Sequence, residues 1–388
     1  MTRIGPLAQT CRAALFSLGR ELAAWKPSRA RATFAAEAML SVALAVTLAH
    51  ALHLSDTWWA AISGFAVMQT SFSGSVKRAA HRMVGTVLGA ALGTLLGPWI
   101  GDRPWLFVPA LGAMGGVAVY HGNASRAAYA WVLGGVTALM VTYEAHKFAS
   151  VQATASFAAL RVAEVAVGTL ACLLISTVFH VGAKRYAKPP LPPVAGTSPP
   201  ASQPAMLAAS MPLAPLRATR VTLGLQAALA IAVLAALNYA LHLPGFAQAM
   251  VTAIAVQILP VGLSPDRTRQ PVMEKMVQRV AGCLLAGGLS VALLPLTRGQ
   301  PALCMLALSL GVWLGCHVQT GQEGASYVGR QFAIAFIMVF VQDHQWSADP
   351  LPALMRLSGI LIGIVVLAAA MFTLDRLSWV PGAKAPDH

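Results

Sequence analysis

The sequence predicts an all-α integral membrane protein built from two tandem, parallel six-helix units, and three observations carry that prediction. Charged residues make up only 10% of the 388 positions and apolar residues 57%, with a mean hydropathy of +0.66. A soluble surface carries roughly 25% charged residues, so this chain lacks the polar residues to build one. Apolar runs long enough for ~30 Å of hydrocarbon, about 17–25 residues each, recur along the chain. The second half then repeats landmarks of the first in the same order.

The elements follow in order. Residues 1–32 form an N-terminal cytoplasmic or interfacial segment. Arg12 and Arg20 break the apolar core that a secretory signal requires. Leu7 to Trp25 alternates basic and apolar residues, as in a helix on the inner membrane surface, with a disordered lead as the alternative. Spans are expected near 33–53, 58–73, 82–100, 104–121, 126–143 and 157–180, composing a first unit over 33–180. Residues 181–216 form a cytoplasmic linker whose Lys188–Pro215 stretch is rich in proline, alanine and serine; proline removes the amide donor and fixes φ, so an extended segment is predicted. Spans resume near 219–241, 246–263, 280–297, 301–319, 325–342 and 352–374, composing a second unit over 217–376, and residues 377–388 form a cytoplasmic tail.

Basic residues orient the chain. With both termini inside, the inner segments collect Lys77, Arg78, Arg82, Lys275, Arg279 and Arg330 among many others, whereas the outer face keeps Arg103, Lys147 and Arg298. A basic inner face beside anionic lipid accounts for the net charge of +14 without nucleic acid. Cys11, Cys172, Cys283, Cys304 and Cys316 show no CxxC spacing and read as small packing residues, with no metal site or disulfide framework.

The repeat is specific. Residues 51–54 (AlaLeuHisLeu) recur at 240–243; Gln69 and Gln257 close the second span of each half. The third spans open ArgMetValGly at 82–85 and ArgValAlaGly at 279–282. His121 answers His317, and Arg161 with Gly168 answers Arg356 with Gly363. An even number of spans per unit points both units the same way, related by a pseudo-two-fold axis along the membrane normal.

Residues 58–96 (WWAAISGFAVMQTSFSGSVKRAAHRMVGTVLGAALGTLL) resemble the signature of the fusaric acid resistance (FUSC) family. That family takes in aromatic acid exporters and is distantly similar to plant aluminium-activated malate channels. The resemblance rests on a short second span, a basic loop and Arg-x-x-Gly-Thr followed by glycines every fourth residue: Arg82, Gly85, Thr86, Gly89, Gly93 and Gly97. The second half carries a weaker copy, with Cys283, Ala286 and Ser290. The resemblance covers both units and implies an inner-membrane exporter of organic acids, with a periplasmic adaptor and outer-membrane channel as further partners. Longer exporters of the family hold large cytosolic domains where this chain has its short linker, so no docking role for such domains is expected.

Candidate site residues follow from cost and position. A mid-span arginine costs roughly 2.5–3.5 kcal/mol, so Arg161 and Arg356 are expected to form a shared positive constriction for a carboxylate. Snorkelling to headgroups is the bland alternative, as is pairing of Arg161 with Glu164 at i+3; Gly359 occupies the matching place after Arg356. The second spans are short or broken (Gly64; Pro260, Gly262), a pattern that marks binding sites in repeat transporters; Gln69 and Gln257 are the candidates there for orienting hydrogen bonds, or else bond neighbouring helices. Trp59, beside Trp58, is an interfacial anchor or an aromatic wall. His50, His121, His317 and Glu164 are proton-coupling candidates, with Glu37 and Glu323 behind them, although a histidine at a span end is ordinarily an interfacial polar group. Gly85, Gly89, Gly93 and Gly97 share one helix face, suited to close packing. No P-loop, HExxH or GxSxG motif is present, so no enzyme and no cofactor are expected, and transport would draw on an ion or proton gradient. The function expected is secondary-active export of aromatic or related organic carboxylic acids, against two alternatives: an anion channel of the same architecture, or a scaffold subunit with no solute path.

Overall fold

A computed structural model describes residues 4–24, 28–148, 150–186, 213–242, 245–260, 263, 267–341 and 350–376. Among these residues the regular structure is thirteen α-helices and no strand. Helix α1 spans Ile4–Ala24. In the first half follow α2 (Arg29–Ala51), α3 (Thr57–Val67), α4 (Phe72–Ile100), α5 (Pro104–Gly122), α6 (Ala128–Ala145) and α7 (Val151–Tyr186). The second half holds α8 (Leu213–Leu241), α9 (Phe246–Ala255), α10 (Arg269–Thr297), α11 (Pro301–Gln319), α12 (Ser326–Phe340) and α13 (Leu351–Arg376).

Eight of these helices are long and apolar enough to cross a membrane, and α3, α9 and α12 are shorter apolar helices. The chain is therefore a multi-pass α-helical membrane protein. Its leucine-rich faces meet no protein: Leu88, Leu95, Leu170, Leu174, Leu306, Leu310 and Val365 are all more than half exposed, as lipid-facing positions require.

The structure corrects several expected boundaries. The third spans do not open near 82 and 280. Helix α4 starts at Phe72, capped by the Ser71 hydroxyl accepting from the Gly74 amide at 3.2 Å, and α10 starts at Arg269. What reads as a basic loop is the first turns of a long helix, because hydropathy sees only the lipid-embedded part. The second span closes at Val67, well before 73: Met68 is extended (φ −55, ψ 130), and the Gln69 amide donates to Ser75 Oγ at 3.0 Å. Helix α9 likewise ends at Ala255, not 263. At ~1.5 Å per residue each covers only about half of the ~30 Å core. The expected linker lies outside the described residues over 187–212, and so does the tail at 377–388. Pro215 nevertheless falls in the first turn of α8, where a missing amide costs nothing.

Small residues set how closely helices approach. On α4, Gly85, Gly89, Gly93 and Gly97 are buried while Val84, Val87, Leu88 and Leu92 face outward. A methyl group on Gly89 would lie 2.2 Å from the Gly134 carbonyl of α6, and on Gly85 2.4 Å from that of Ala130. The two halves meet reciprocally: α5 packs on α8 and α2 on α11, α6 touches α9 and α12 touches α3. Such mutual exchange is what a two-fold relation produces. Helix α1 docks on α10 and α11. Buried Glu21 pairs there with Arg31 at 2.6 Å and accepts from the Glu323 amide at 3.2 Å, and Arg31 donates to the His317 carbonyl.

Candidate functional site

The two broken helices leave a cavity of about 490 Å³ between the halves. Its wall comes from α3, α4, α6 and α7 on one side and α9, α10, α12 and α13 on the other. Seven cations line it (Arg78, Arg82, Arg161, Lys275, Arg279, Arg330 and Arg356), and among the described residues no aspartate or glutamate does.

Helix spacing arranges the cations. Arg78 and Arg82 sit one turn apart on α4, as Lys275 and Arg279 do on α10, so each helix turns an i, i+4 like-charge pair to the cavity. Such pairs are intrinsically destabilising. In each half the deeper arginine clasps the short helix through a hydroxyl. Arg82 donates to Ser63 Oγ from Nε (3.1 Å) and Nη2 (2.8 Å), and from Nη1 to the Tyr129 hydroxyl at 2.9 Å. Arg279 donates from Nε to Thr252 Oγ1 (3.1 Å) and from Nη1 to Gln331 Oε1 (2.7 Å). Both guanidiniums are buried, and among the described residues these partners are neutral oxygens.

The turn nearer the helix starts is less satisfied. Arg78 lies 4.1 Å over the Tyr129 ring, with Nε unbonded. Lys275 donates to the Ile258 carbonyl and lies 5.5 Å from the Tyr327 ring, whose hydroxyl has no partner among the described residues. Arg330 lies within electrostatic range of Arg78 and of Lys275.

Arg161 and Arg356 both line the cavity, but they are not equivalent, and this corrects the expected symmetrical constriction. Arg161 pairs with Glu164 at 3.0 Å and with Asp56, and Asp56 in turn offers its amide to Glu164 at 3.0 Å. Its guanidinium also sits over Phe157 (4.8 Å), Trp59 (5.0 Å) and Trp58 (5.7 Å). Arg356, 8% exposed, has no partner for Nε or Nη1 among the described residues. Glycines stand where the acids would be: Gly359 matches Glu164, and Gly245 follows the second AlaLeuHisLeu as Asp56 follows the first. Those two glycines touch, since a methyl on Gly359 would come 2.2 Å from the Gly245 carbonyl. Gly245 also holds φ +71, a left-handed conformation that suits glycine. Backbone contact thus fills the space that carboxylates fill in the first half.

The remaining predicted residues divide. Trp59 lines the cavity with Trp58, their rings 4.3 Å apart. Gln69 and Gln257 do not line it. The Gln69 side chain turns back to the Met68 carbonyl at 2.5 Å where α3 unwinds. Gln257 is fully buried with its side-chain amide unbonded among the described residues, and its backbone carbonyl accepts from Asn123 Nδ2 at 3.1 Å. His50, His121 and His317 also lie off the cavity: His50 Nδ1 contacts the Val46 carbonyl at 2.9 Å, His121 stacks on Trp131 at 4.2 Å, and His317 stacks on Trp313 at 5.7 Å. Glu164 is fully buried against Arg161. Glu37 accepts from Ser176 at 3.3 Å, and Glu323 pairs with Arg20 at 3.2 Å.

Sequence reasoning missed Arg78, Arg82, Lys275, Arg279 and Arg330 as cavity residues, placing them among the inner-face charges. The signal was the repeated Arg-x-x-Gly itself, since a basic residue one helical turn before a packing glycine belongs to the helix and not to a loop.

Fold and cavity together define a multi-pass α-helical membrane protein with a cation-lined chamber between its halves. Residues 31–189 match the Fusaric acid resistance protein family. The match falls on the first membrane unit, from α2 to α7. The chain is 29% identical over 134 residues to the uncharacterized transporter YdhK of Salmonella typhimurium, covering 34% of this chain and 20% of that protein. It is 28% identical over 154 residues to YdhK of Escherichia coli K12, covering 39% and 23%. The matched region thus spans about a fifth of the length of these relatives. No solved structure matches the chain.

Proposed function

We propose that this protein is a secondary exporter of organic anions, aromatic carboxylates in the first instance, working by gradient-driven transport and not by enzymatic chemistry. The observation that carries the reading is the cavity wall, with its seven cations and, among the described residues, no carboxylate. Each arginine placed in a membrane interior costs roughly 2.5–3.5 kcal/mol, and among the described residues only Arg161 of the cavity arginines recovers that cost from acids. A mobile anion offsets it for the others. Within a low-dielectric wall such attraction is less screened than in bulk water.

The carboxylate docks on Arg356, with Trp58 and Trp59 offering a face to its ring. The matching helix order and reciprocal contacts of the halves support two parallel six-helix repeats with twelve spans, both termini in the cytoplasm of a bacterial inner membrane. The transporter names of the relatives point the same way. Any periplasmic adaptor would act outside the described cavity.

The test is transport of an aromatic acid and of its neutral amide into vesicles carrying the purified protein under an imposed pH gradient. Uphill accumulation of the acid alone is expected, and Arg356→Gln abolishes it. Lysine restores part, since it keeps the charge and loses the planar fork. Flux that only runs downhill would make the protein an anion channel. No flux of either compound would leave the membrane scaffold as the better reading.

A further inference from the structure

We propose that the end of the cavity formed by Arg78, Lys275 and Arg330, flanked by Tyr129 and Tyr327, is a second anion subsite that takes a compact dianion such as a phosphate monoester or phosphonate. The proposal rests on the cavity being a solute site, but not on Arg356 holding a carboxylate.

Three observations converge on this end. The cations come from three helices and from both halves: Arg78 from α4, Lys275 from α10 and Arg330 from α12. Among the described residues none of the three forms an ion pair, and each feels at least one of the others as a like charge. Two donors of the lining residues also have no partner among the described residues, namely the buried Arg78 Nε and the buried Tyr327 hydroxyl. A fold that gathers repelling cations beside an idle phenol, with no carboxylate paired to them among the described residues, is arranged around a charge it does not contain.

The number and compactness of the cations select the ligand. A monocarboxylate brings one charge and leaves two cations unmatched. A phosphate monoester carries roughly −1.5 to −2 charge at neutral pH on three strong acceptor oxygens, enough to engage Arg78, Lys275 and Arg330 together and accept from Tyr327. The flanking tyrosine rings already hold Arg78 and Lys275 by their faces, so the site is largely preorganised.

The probe is phenyl phosphate, with benzoate as its monoanionic counterpart, titrated calorimetrically at pH 8 into the full chain in neutral detergent. Phenyl phosphate is expected to bind about ten-fold tighter than benzoate or better. Arg330→Gln and Lys275→Gln should each weaken phenyl phosphate about ten-fold or more and leave benzoate within about two-fold. Tyr327→Phe should weaken phenyl phosphate to a smaller extent and guards against a folding defect in the charge variants. Arg356→Gln should do the reverse, which separates failure of the carboxylate site from failure of this one. Equal affinity for the two probes, or phenyl phosphate binding indifferent to Arg330→Gln, would overturn the proposal. Nanodiscs distinguish the source of the phosphate. If phosphatidic acid displaces phenyl phosphate where phosphatidylcholine does not, the subsite stands and its occupant is a lipid headgroup; if neither displaces it, the subsite stands and takes a soluble phosphate.

Discussion

At one place in the helix order, the halves of this protein solve the same problem in opposite ways. The first half buries Arg161 and surrounds it with Glu164, Asp56 and three aromatic rings. The second half buries Arg356, replaces both acids with glycines and presses the glycine backbones together. A charge with its counterions beside it holds the fold together. A charge stripped of them is available to something else. On the proposed reading, the first-half arginine is a structural member and the second-half arginine a binding member, and every substitution that treats the halves as equals should expose the division.

The largest contrast lies in helix packing. Gly89→Leu places atoms where the α6 backbone already is, 2.2 Å from the Gly134 carbonyl at the first added carbon, and should leave no monodisperse protein in size-exclusion chromatography. Its counterpart Ala286 already carries a methyl group, so Ala286→Gly should keep the monodisperse peak at a cost of about 1 kcal/mol. A folded Gly89→Leu protein would mean that α4 and α6 separate without penalty.

Next comes the arginine pair. Arg161→Gln strands Glu164, which is fully buried, and breaking a buried pair from one side costs about 3–5 kcal/mol. Arg356→Gln removes a buried charge that no acid pairs among the described residues, and should hold or raise the thermal midpoint while abolishing the proposed anion transport. Midpoints in detergent measured beside vesicle flux give the answer. Equal destabilisation by the two substitutions would erase the division between the halves.

Part of this was legible in the sequence. The helical class and the burial of Arg161 and Arg356 beside one cavity follow from hydropathy, spacing and the cost of a buried guanidinium. The Glu164 contact was visible because it is local, at i+3. Asp56 was not, because it lies 105 residues from Arg161 and no periodicity links them. The inner cations were misread for a physical reason: hydropathy windows end where polar residues begin, so the turns of α4 before Arg82 and of α10 before Arg279 looked like loop, and Arg78, Arg82, Lys275 and Arg279 were counted with the basic inner face. Gln69 and Gln257 drew notice because polar residues stand out in apolar runs, yet the unwinding of the chain at those points carries their side chains elsewhere.

The clasps on the short helices offer a finer contrast. Arg82 binds the Ser63 hydroxyl through two nitrogens, and Arg279 binds Thr252 through one while keeping Gln331. A hydrogen bond to a charged group contributes roughly 1.5–3 kcal/mol. Ser63→Ala should therefore lower the thermal midpoint more than Thr252→Val, and Arg82→Lys should behave like Ser63→Ala because a single ammonium cannot span both contacts. The opposite order would show that Tyr129 alone suffices to hold Arg82.

The smallest effect expected concerns α1, which is joined by sequence to the first half but docks on helices of the second. Burial disfavours the charge of Glu21, but the Glu323 amide and the Arg31 guanidinium outweigh it and hold the carboxyl below its ordinary value of 4.5. The sign follows from linkage. A carboxylate with a depressed folded-state pKa stabilises docking fully above its ordinary value, and that stabilisation is lost as pH falls through the depressed one. Hydrogen exchange over residues 4–24, corrected for intrinsic rate, should stay flat from neutrality to about pH 5 and then rise on further acidification. Glu21→Gln should show the raised exchange already at neutral pH, with little further acid dependence, because it keeps the shape and loses the pairing with Arg31. A wild-type profile in that variant would assign the docking to Cys11, Ala14 and Leu15 against Met273 and Val277 in the apolar groove they share, and α1 would then be held to the second half by burial alone.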